Sequence, residues 1–202
     1  VEVVYPPIVH PREVAPWGKR RDEMVCLGRV VPSKRIDAIV RMAAKLVERG
    51  AIDHLHVVGP LMDEAYAAHL RRLIGELGGA SWVTLHGEVP RERLSALLAS
   101  VKYGIHAQID EHFGMAPAEM LSAGCIPFVH ASGGQVEIVD HLDALTFSSI
   151  QEAVGKVERM ASDEGLRERT IAMLADRRDR FQAVRFADSI RREVTHALRD
   201  AV

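Results

Sequence analysis

The chain has 202 residues, 48% apolar and 27% charged, which is enough for one soluble domain around a single core. Its 26 basic and 28 acidic side chains leave a formal charge of −2, too balanced to argue for nucleic acid or an anionic membrane as a general partner. No apolar run approaches the ~18 residues of a membrane helix, and Cys26 and Cys125, outside any C-x-x-C spacing, point to buried thiols in a reducing, cytoplasmic compartment.

Residues 1–23 are expected to form an extended lead-in linker, and residues 24–202 one ligand-binding domain. Val1 stands where an initiator methionine would, and no basic signal-peptide region follows, the pattern of a piece of a longer chain. Tyr5-Pro6-Pro7-Ile8-Val9-His10-Pro11 is proline-rich, and Trp17 to Arg21 is basic and polar. Val25 to Gly28 is the first strand candidate. Ile36, Ile39, Val40, Ala43, Leu46 and Val47 then recur at three-and-four spacing, one face of a helix. Leu55 to Gly59 is a second strand, followed by a helix carrying Leu70, Leu73, Ile74 and Leu77. Val83 to Gly87 is a third, followed by a helix carrying Leu94, Leu97, Leu98 and Val101. Tyr103 to His106, Ile126 to Val129 and Ala144 to Phe147 complete the strands, with a short helix from Met115 to Ala123 between the fourth and fifth. From Ser149 onward the pattern is helical, ending in a charged amphipathic segment from Phe186 to Leu198. Strands and helices alternating in this way predict an α/β fold, a doubly wound, Rossmann-like parallel sheet with C-terminal helices. Such sheets bind ligands outside the carboxyl ends of their strands.

Two glutamates, Glu111 and Glu119, stand eight residues apart around the start of the short helix. Phe113-Gly114 makes a bend, and Pro117 is tolerated in the first turn because the amides there lack intrahelical partners. Glu111 then sits in the loop and Glu119 one turn inside the helix, flanking an N-terminus that attracts phosphate. A ligand with hydroxyls on either side of a phosphate, such as a nucleotide sugar, suits that arrangement. Solvated carboxylates at a helix start are the competing explanation. Arg29 and Lys34 follow the first strand, a forked donor and a point charge suited to a diphosphate, with an ordinary solvated loop as the alternative. Ser132-Gly133-Gly134 follows the fifth strand, where glycines would let backbone approach a ligand, or would simply make a turn. G-x-G-x-x-G, G-x-x-x-x-G-K-[ST], D-x-D and H-E-x-x-H are all absent, so neither a dinucleotide fold, a P-loop nor a metal clamp is indicated. Of the ten histidines, His112 is singled out by its place inside the glutamate motif.

Gly28-Arg29 with Lys34, Val58-Gly59, Leu85 to Val89, Glu111 through Glu119, Ala123-Gly124, and Gly133-Gly134 leading to Glu137 come in an order that resembles one family. It is the C-terminal, donor-binding domain of retaining GT-B glycosyltransferases, family 4, glycosyl transferases group 1. The resemblance implies transfer of a hexose from a nucleoside diphosphate sugar, with no cofactor and no metal. Arg29 and Lys34 would hold the diphosphate, Glu111 the sugar hydroxyls, and Glu119 the ribose. His112, Phe113, Gly114 and Met115 would border the sugar and phosphate, His86 and Gly87 would lie beside the base, and Gly133 and Gly134 would approach the donor. Glu137 would anchor its helix start. Arg35 departs from the commoner pattern, in which glycine follows the lysine. The Tyr5-Pro6-Pro7 start, the Glu111-His112-Phe113-Gly114 core and the Ala131 to Gly134 stretch resemble the branch of mannosyltransferases that extend lipid-linked oligosaccharides, which favours GDP-mannose over a UDP-sugar. The expected partner is an acceptor-binding N-terminal domain outside this chain, through which a peripheral membrane contact would run. A nucleotide-binding module without turnover and an inert domain of glycosyltransferase shape remain open as rivals.

Overall fold

A computed structural model describes residues 3–8 and 14–200, so Val9-His10-Pro11 of the expected linker lies outside the described residues. Six parallel strands form one sheet in the order β3-β2-β1-β4-β5-β6: β1 Arg21–Leu27, β2 His54–Val58, β3 Val83–Gly87, β4 Val101–His106, β5 Ile126–His130 and β6 Thr146–Phe147. The central strands bury consecutive residues because helices cover both faces. Met24, Cys26, Leu55, Val57, Ile105 and Phe128 join the larger core with α1 (Ile36–Glu48), α2 (Glu64–Glu76) and α6 (Ile150–Ser162). Val25, Leu27 and Val58 pack against α3 (Arg91–Ser100) and α4 (Met115–Ser122). The short α5 (Gln135–Ile138), then α7 (Glu164–Arg178) and α8 (Ala183–Asp200), complete the chain. Strand order reverses between β1 and β4, so a crevice opens where the loops after these two strands diverge.

Several boundaries differ from expectation for identifiable reasons. β1 starts at Arg21, three residues before the expected boundary at Met24, because pairing runs out to Arg21↔Val101 and Glu23↔His54. That end is held by charge rather than by apolar burial: Lys102 Nζ lies 2.6 Å from Asp22, and His56 Nε2 lies 2.7 Å from Glu23. Val101 continues the helical spacing of α3 but is extended, fully buried and the first residue of β4. Ser100 ends the helix by donating its hydroxyl to the Leu97 carbonyl at 2.8 Å. Asp143–Leu145 is a turn of 3-10 helix, leaving only Thr146 and Phe147 in β6.

The lead-in residues form no layer of the fold, yet they are packed onto it. Arg20 is 5% exposed, and its guanidinium donates to the carbonyls of Ala15, Val101 and Ala123 at 2.9, 2.9 and 2.6 Å. The Tyr5 ring rests on Phe113 and Phe181, and the Ile8 amide donates to the Phe181 carbonyl. Both cysteines are free and fully buried, and burial pushes each thiol up to about 12.

Two backbone positions generate predictions. Gly59 holds φ +143 where β2 ends, and a Cβ there would stand 2.0 Å from the Gly28 carbonyl oxygen. Backbone cannot yield as a side-chain tip does, so Gly59→Ala is expected to cost about 3 kcal/mol, measured by denaturant unfolding. Arg35 sits at φ 52, ψ 40, the left-handed conformation that glycine takes without strain. Arg35 therefore holds a conformation suited to glycine, at an energetic cost. Arg35→Gly is expected to stabilise the chain by about 0.5–1 kcal/mol, the strain relieved less the extra chain entropy of glycine.

Candidate functional site

The site is assembled by loops that leave the carboxyl ends of β1, β4 and β5. After β4 the chain passes Asp110, at φ 52, whose amide donates to the Ser132 hydroxyl at 2.8 Å. Glu111 then forms a parallel bridge with Gly133, and its carbonyl accepts from the Gly134 amide at 2.7 Å. Gly114, at φ 106, turns the chain into α4, with Pro117 in the first turn and the Met115 and Ala116 amides at the helix start. Helix start and Glu111 loop thus border one crevice, as the spacing predicts.

Gly133 and Gly134 serve that loop. A Cβ on Gly133 would meet the Glu111 carbonyl oxygen at 2.3 Å, and one on Gly134 would meet that of His112 at 2.2 Å. Of the two expectations for these glycines, a ligand contact or a turn, the structure displays a close approach to the backbone of Glu111 and His112.

Glu111 is the electrostatic centre. Its Oε2 lies 2.8 Å from Lys34 Nζ and 3.2 Å from His106 Nε2, with the three side chains 17%, 16% and 2% exposed. Lys34 reaches it from the turn after β1, its stem passing over Gly28. The residues expected to divide diphosphate and sugar between them are therefore paired with each other. Burial, the largest single influence, would raise the Glu111 carboxyl, but Lys34 and then His106 together outweigh it and hold the group below the ordinary carboxylate range. Burial, then the Lys34 charge, drives His106 down to about 4, so near neutral pH its contact with Glu111 is a hydrogen bond from a neutral imidazole.

Glu119 lies one turn inside α4, and its Oε1 pairs with Arg91 Nη1 at 3.0 Å across to the start of α3. Arg29 is exposed just beyond β1 and has no ion pair among the described residues. His112 and Met115 are exposed, whereas Phe113 turns its ring toward Tyr5 and Phe181, leaving only its backbone to face the crevice. His86 is directed elsewhere. Its Nε2 lies 2.9 Å from His56 Nδ1, in a row that continues to Glu23 under α3, and burial followed by the neighbouring His56 lowers its pKa. Gly87 accepts from the Gly59 amide at the sheet edge. Glu137 accepts from the Tyr5 hydroxyl and fastens the lead-in segment to α5, not a ligand.

Two residues escaped the sequence reading. His106 ends β4, and its place at a carboxyl strand end beside the glutamate motif was the available signal. Arg91 had none, since nothing in the spacing links the start of α3 to α4.

The site carries a pH prediction. His106 binds a proton near 6.5 in the unfolded chain and only near 4 when folded, so the unfolded state takes up more protons between those values. Stability should be complete above about 6.5 and fall toward pH 4 by about 3 kcal/mol, with Glu111 adding a further loss below its ordinary value of 4.5. Urea unfolding across this range should show the decline, and His106→Gln should flatten its upper part.

The model of the glycosyl transferases group 1 family matches residues 11–173. A Dictyostelium discoideum protein named GDP-Man:Man(3)GlcNAc(2)-PP-Dol alpha-1,2-mannosyltransferase is 29% identical over 206 residues, covering 92% of this chain and 40% of its own length. The Neurospora crassa protein of that name is 31% identical over 158 residues, covering 71% of this chain and 28% of its own. Among solved structures, Anabaena HepE in complex with UDP and glucose matches with a TM-score of 0.75 at 21% identity, over 87% of this chain and 48% of that one. The pneumococcal O-GlcNAc transferase GtfA in complex with UDP and GlcNAc matches with a TM-score of 0.78 at 15% identity, over 94% and 38%. At such identities the structures speak for the fold, and the chain spans less than half the length of these proteins. With the family's pattern running through all six strands and the whole of the Glu111–Glu119 element, the chain belongs to the glycosyl transferases group 1 family.

Proposed function

We propose that this chain is the donor-binding half of a retaining glycosyltransferase that moves a hexose, mannose from GDP-mannose in the first instance, onto an acceptor held by another part of the protein. The observation that carries this reading is the cluster of Lys34 and Glu111 beside the α4 N-terminus at the point where strand order reverses. The names of the Dictyostelium and Neurospora relatives support the choice of donor, and the UDP complexes of HepE and GtfA support a nucleotide sugar at this fold.

Breaking the bond between sugar and diphosphate puts negative charge on the leaving phosphate. The helix start and Arg29 supply positive potential there, and Lys34 adds its charge by exchanging part of its pairing with Glu111 for the phosphate. Glu111 accepts hydrogen bonds from sugar hydroxyls and Glu119 from the ribose, while the backbone from Phe113 to Met115 borders the phosphates. No helix among the described residues is long and apolar enough to cross a membrane. On this reading the domain works at the cytoplasmic face, and any membrane contact runs through the remainder of the protein.

Calorimetry with GDP and GDP-mannose tests the division of labour. Lys34→Ala and Arg29→Ala should each weaken GDP binding by roughly ten- to a hundredfold, and Glu119→Ala should weaken both ligands alike. Glu111→Ala should spare GDP or improve it, since it releases Lys34 from its ion pair, while weakening GDP-mannose. Equal losses of both ligands in Glu111→Ala would remove the sugar role. The chain alone should bind GDP yet transfer no mannose at a useful rate, because holding donor and acceptor together contributes up to about 7–11 kcal/mol; robust transfer by residues 1–202 alone would contradict this.

A further inference from the structure

We propose that His106 is a positioning residue for donor-sugar recognition: it anchors one carboxylate oxygen of Glu111 so that the other is presented to sugar hydroxyls. The inference deepens the donor-binding reading above and rests on it. Both contacts to the Glu111 carboxylate fall on Oε2, from Lys34 at 2.8 Å and from His106 at 3.2 Å. Oε1 has no hydrogen bond among the described residues, so it is the oxygen with accepting capacity to offer.

The two partners hold Oε2 in different ways. Lys34 is a long, mobile stem ending in a point charge, and a diphosphate in the crevice competes for that charge. Every phosphate oxygen it serves loosens its hold on Glu111. His106 has no such second duty. It is the last residue of β4, its backbone paired in register with Val129 of β5, and at 2% exposure its ring is confined by the packing around it. Its protonation is fixed as well. A carboxylate only accepts, so Nε2 must carry the hydrogen, and a neutral ring leaves Nδ1 as the bare nitrogen. Glu111 therefore receives a constant dipolar donor from His106, whatever Lys34 is doing.

The backbone beneath Glu111 is already pinned by Gly133 and Gly134, and the amide of Asp110 by Ser132. What remains to be set is the side-chain rotamer, and His106 sets it. A histidine that used Glu111 merely to satisfy its own buried N–H would show the same distance, so the test must separate the two roles.

Three variants do so. His106→Gln carries an amide N–H close to where Nε2 stands, His106→Asn carries one too short to reach Glu111, and His106→Leu carries none. Calorimetry of the 202-residue chain, with circular dichroism and thermal melts to establish folding, should show His106→Leu and His106→Asn weakening GDP-mannose by about tenfold, the scale of one charge-assisted hydrogen bond. GDP affinity should change by less than about twofold, and His106→Gln should restore most of the loss. Carboxyl NMR of Glu111 should show its pKa rising in His106→Leu and His106→Asn but not in His106→Gln. Equal losses for GDP and GDP-mannose, or a His106→Gln variant no better than His106→Asn, would overturn the proposal. A wild-type chain that bound neither nucleotide would overturn the donor-binding reading beneath it. The NMR titration needs no nucleotide, so an unmoved Glu111 pKa would overturn the positioning role by itself.

Discussion

The docking of Gly133-Gly134 onto the backbone of Glu111-His112 holds the loop on which both glutamates of the site depend. β4 and β5 are neighbours in the sheet, but their loops leave it separately, and nothing in the ladder itself holds the loops together. The bridge between Glu111 and Gly133 extends the pairing past the strand ends, and the Gly134 amide closes it. Any Cβ at either glycine would push the two backbones apart. With that contact made, Gly114 turns the chain, α4 points its N-terminus into the crevice, and Glu119 comes to rest one turn in. The same contact holds Glu111 within reach of β1's trailing loop, where Lys34 waits.

Each carboxylate of the site is accompanied by a cation from a distant segment, Lys34 for Glu111 and Arg91 for Glu119. Partly buried carboxylates without partners would shift their pKa upward and risk protonation, which would make donors of groups that are needed as acceptors. For Glu111, Lys34 together with His106 holds the carboxyl below the ordinary range. On the donor-binding reading proposed above, the two cations also make ligand recognition an exchange, since a diphosphate would draw on the charge that steadies Glu111. An exchange of this kind favours ligands that satisfy both members of the pair, a phosphate for the cation and hydroxyls for the carboxylate. Ligands offering only one half gain less.

Much of this was legible in the chain, and what was not has physical reasons. Strand cores such as Val25 to Leu27 and Ile126 to Val129 declare themselves because burial on both faces leaves continuous apolar runs. Strand ends do not, and Arg21 to Glu23 look like linker because their partners are charged groups on β2 and β4. Val101 satisfied the helical period of α3 by arithmetic alone. Glu111, Glu119, Arg29 and Lys34 could be named from position and resemblance. The Lys34–Glu111 pair could not, because 77 residues separate them and only the adjacency of β1 and β4 in the sheet brings them together. Glycine marks a close approach without saying to what: Gly133 and Gly134 are open in the sequence to a ligand contact or a plain turn, and the close approach visible in the structure is to the backbone of Glu111 and His112. The resemblance sets the His86-Gly87 segment beside a base, and what it cannot give is the direction of the ring, which strand alternation turns toward His56.

The Phe113 ring has a temporal meaning. It is held between Tyr5, far upstream, and Phe181, well downstream, with centroids 5.9 and 6.0 Å away. During synthesis the Glu111 loop emerges while one of its two aromatic supports has yet to be made. The parallel ladder from β1 to β5 can close on the nascent chain, but the loop that follows β4 has no complete wall until Phe181 has left the ribosome. The aromatic wall behind the Glu111 loop is thus completed only after every strand of the sheet and both glycines of the loop contact have been synthesised.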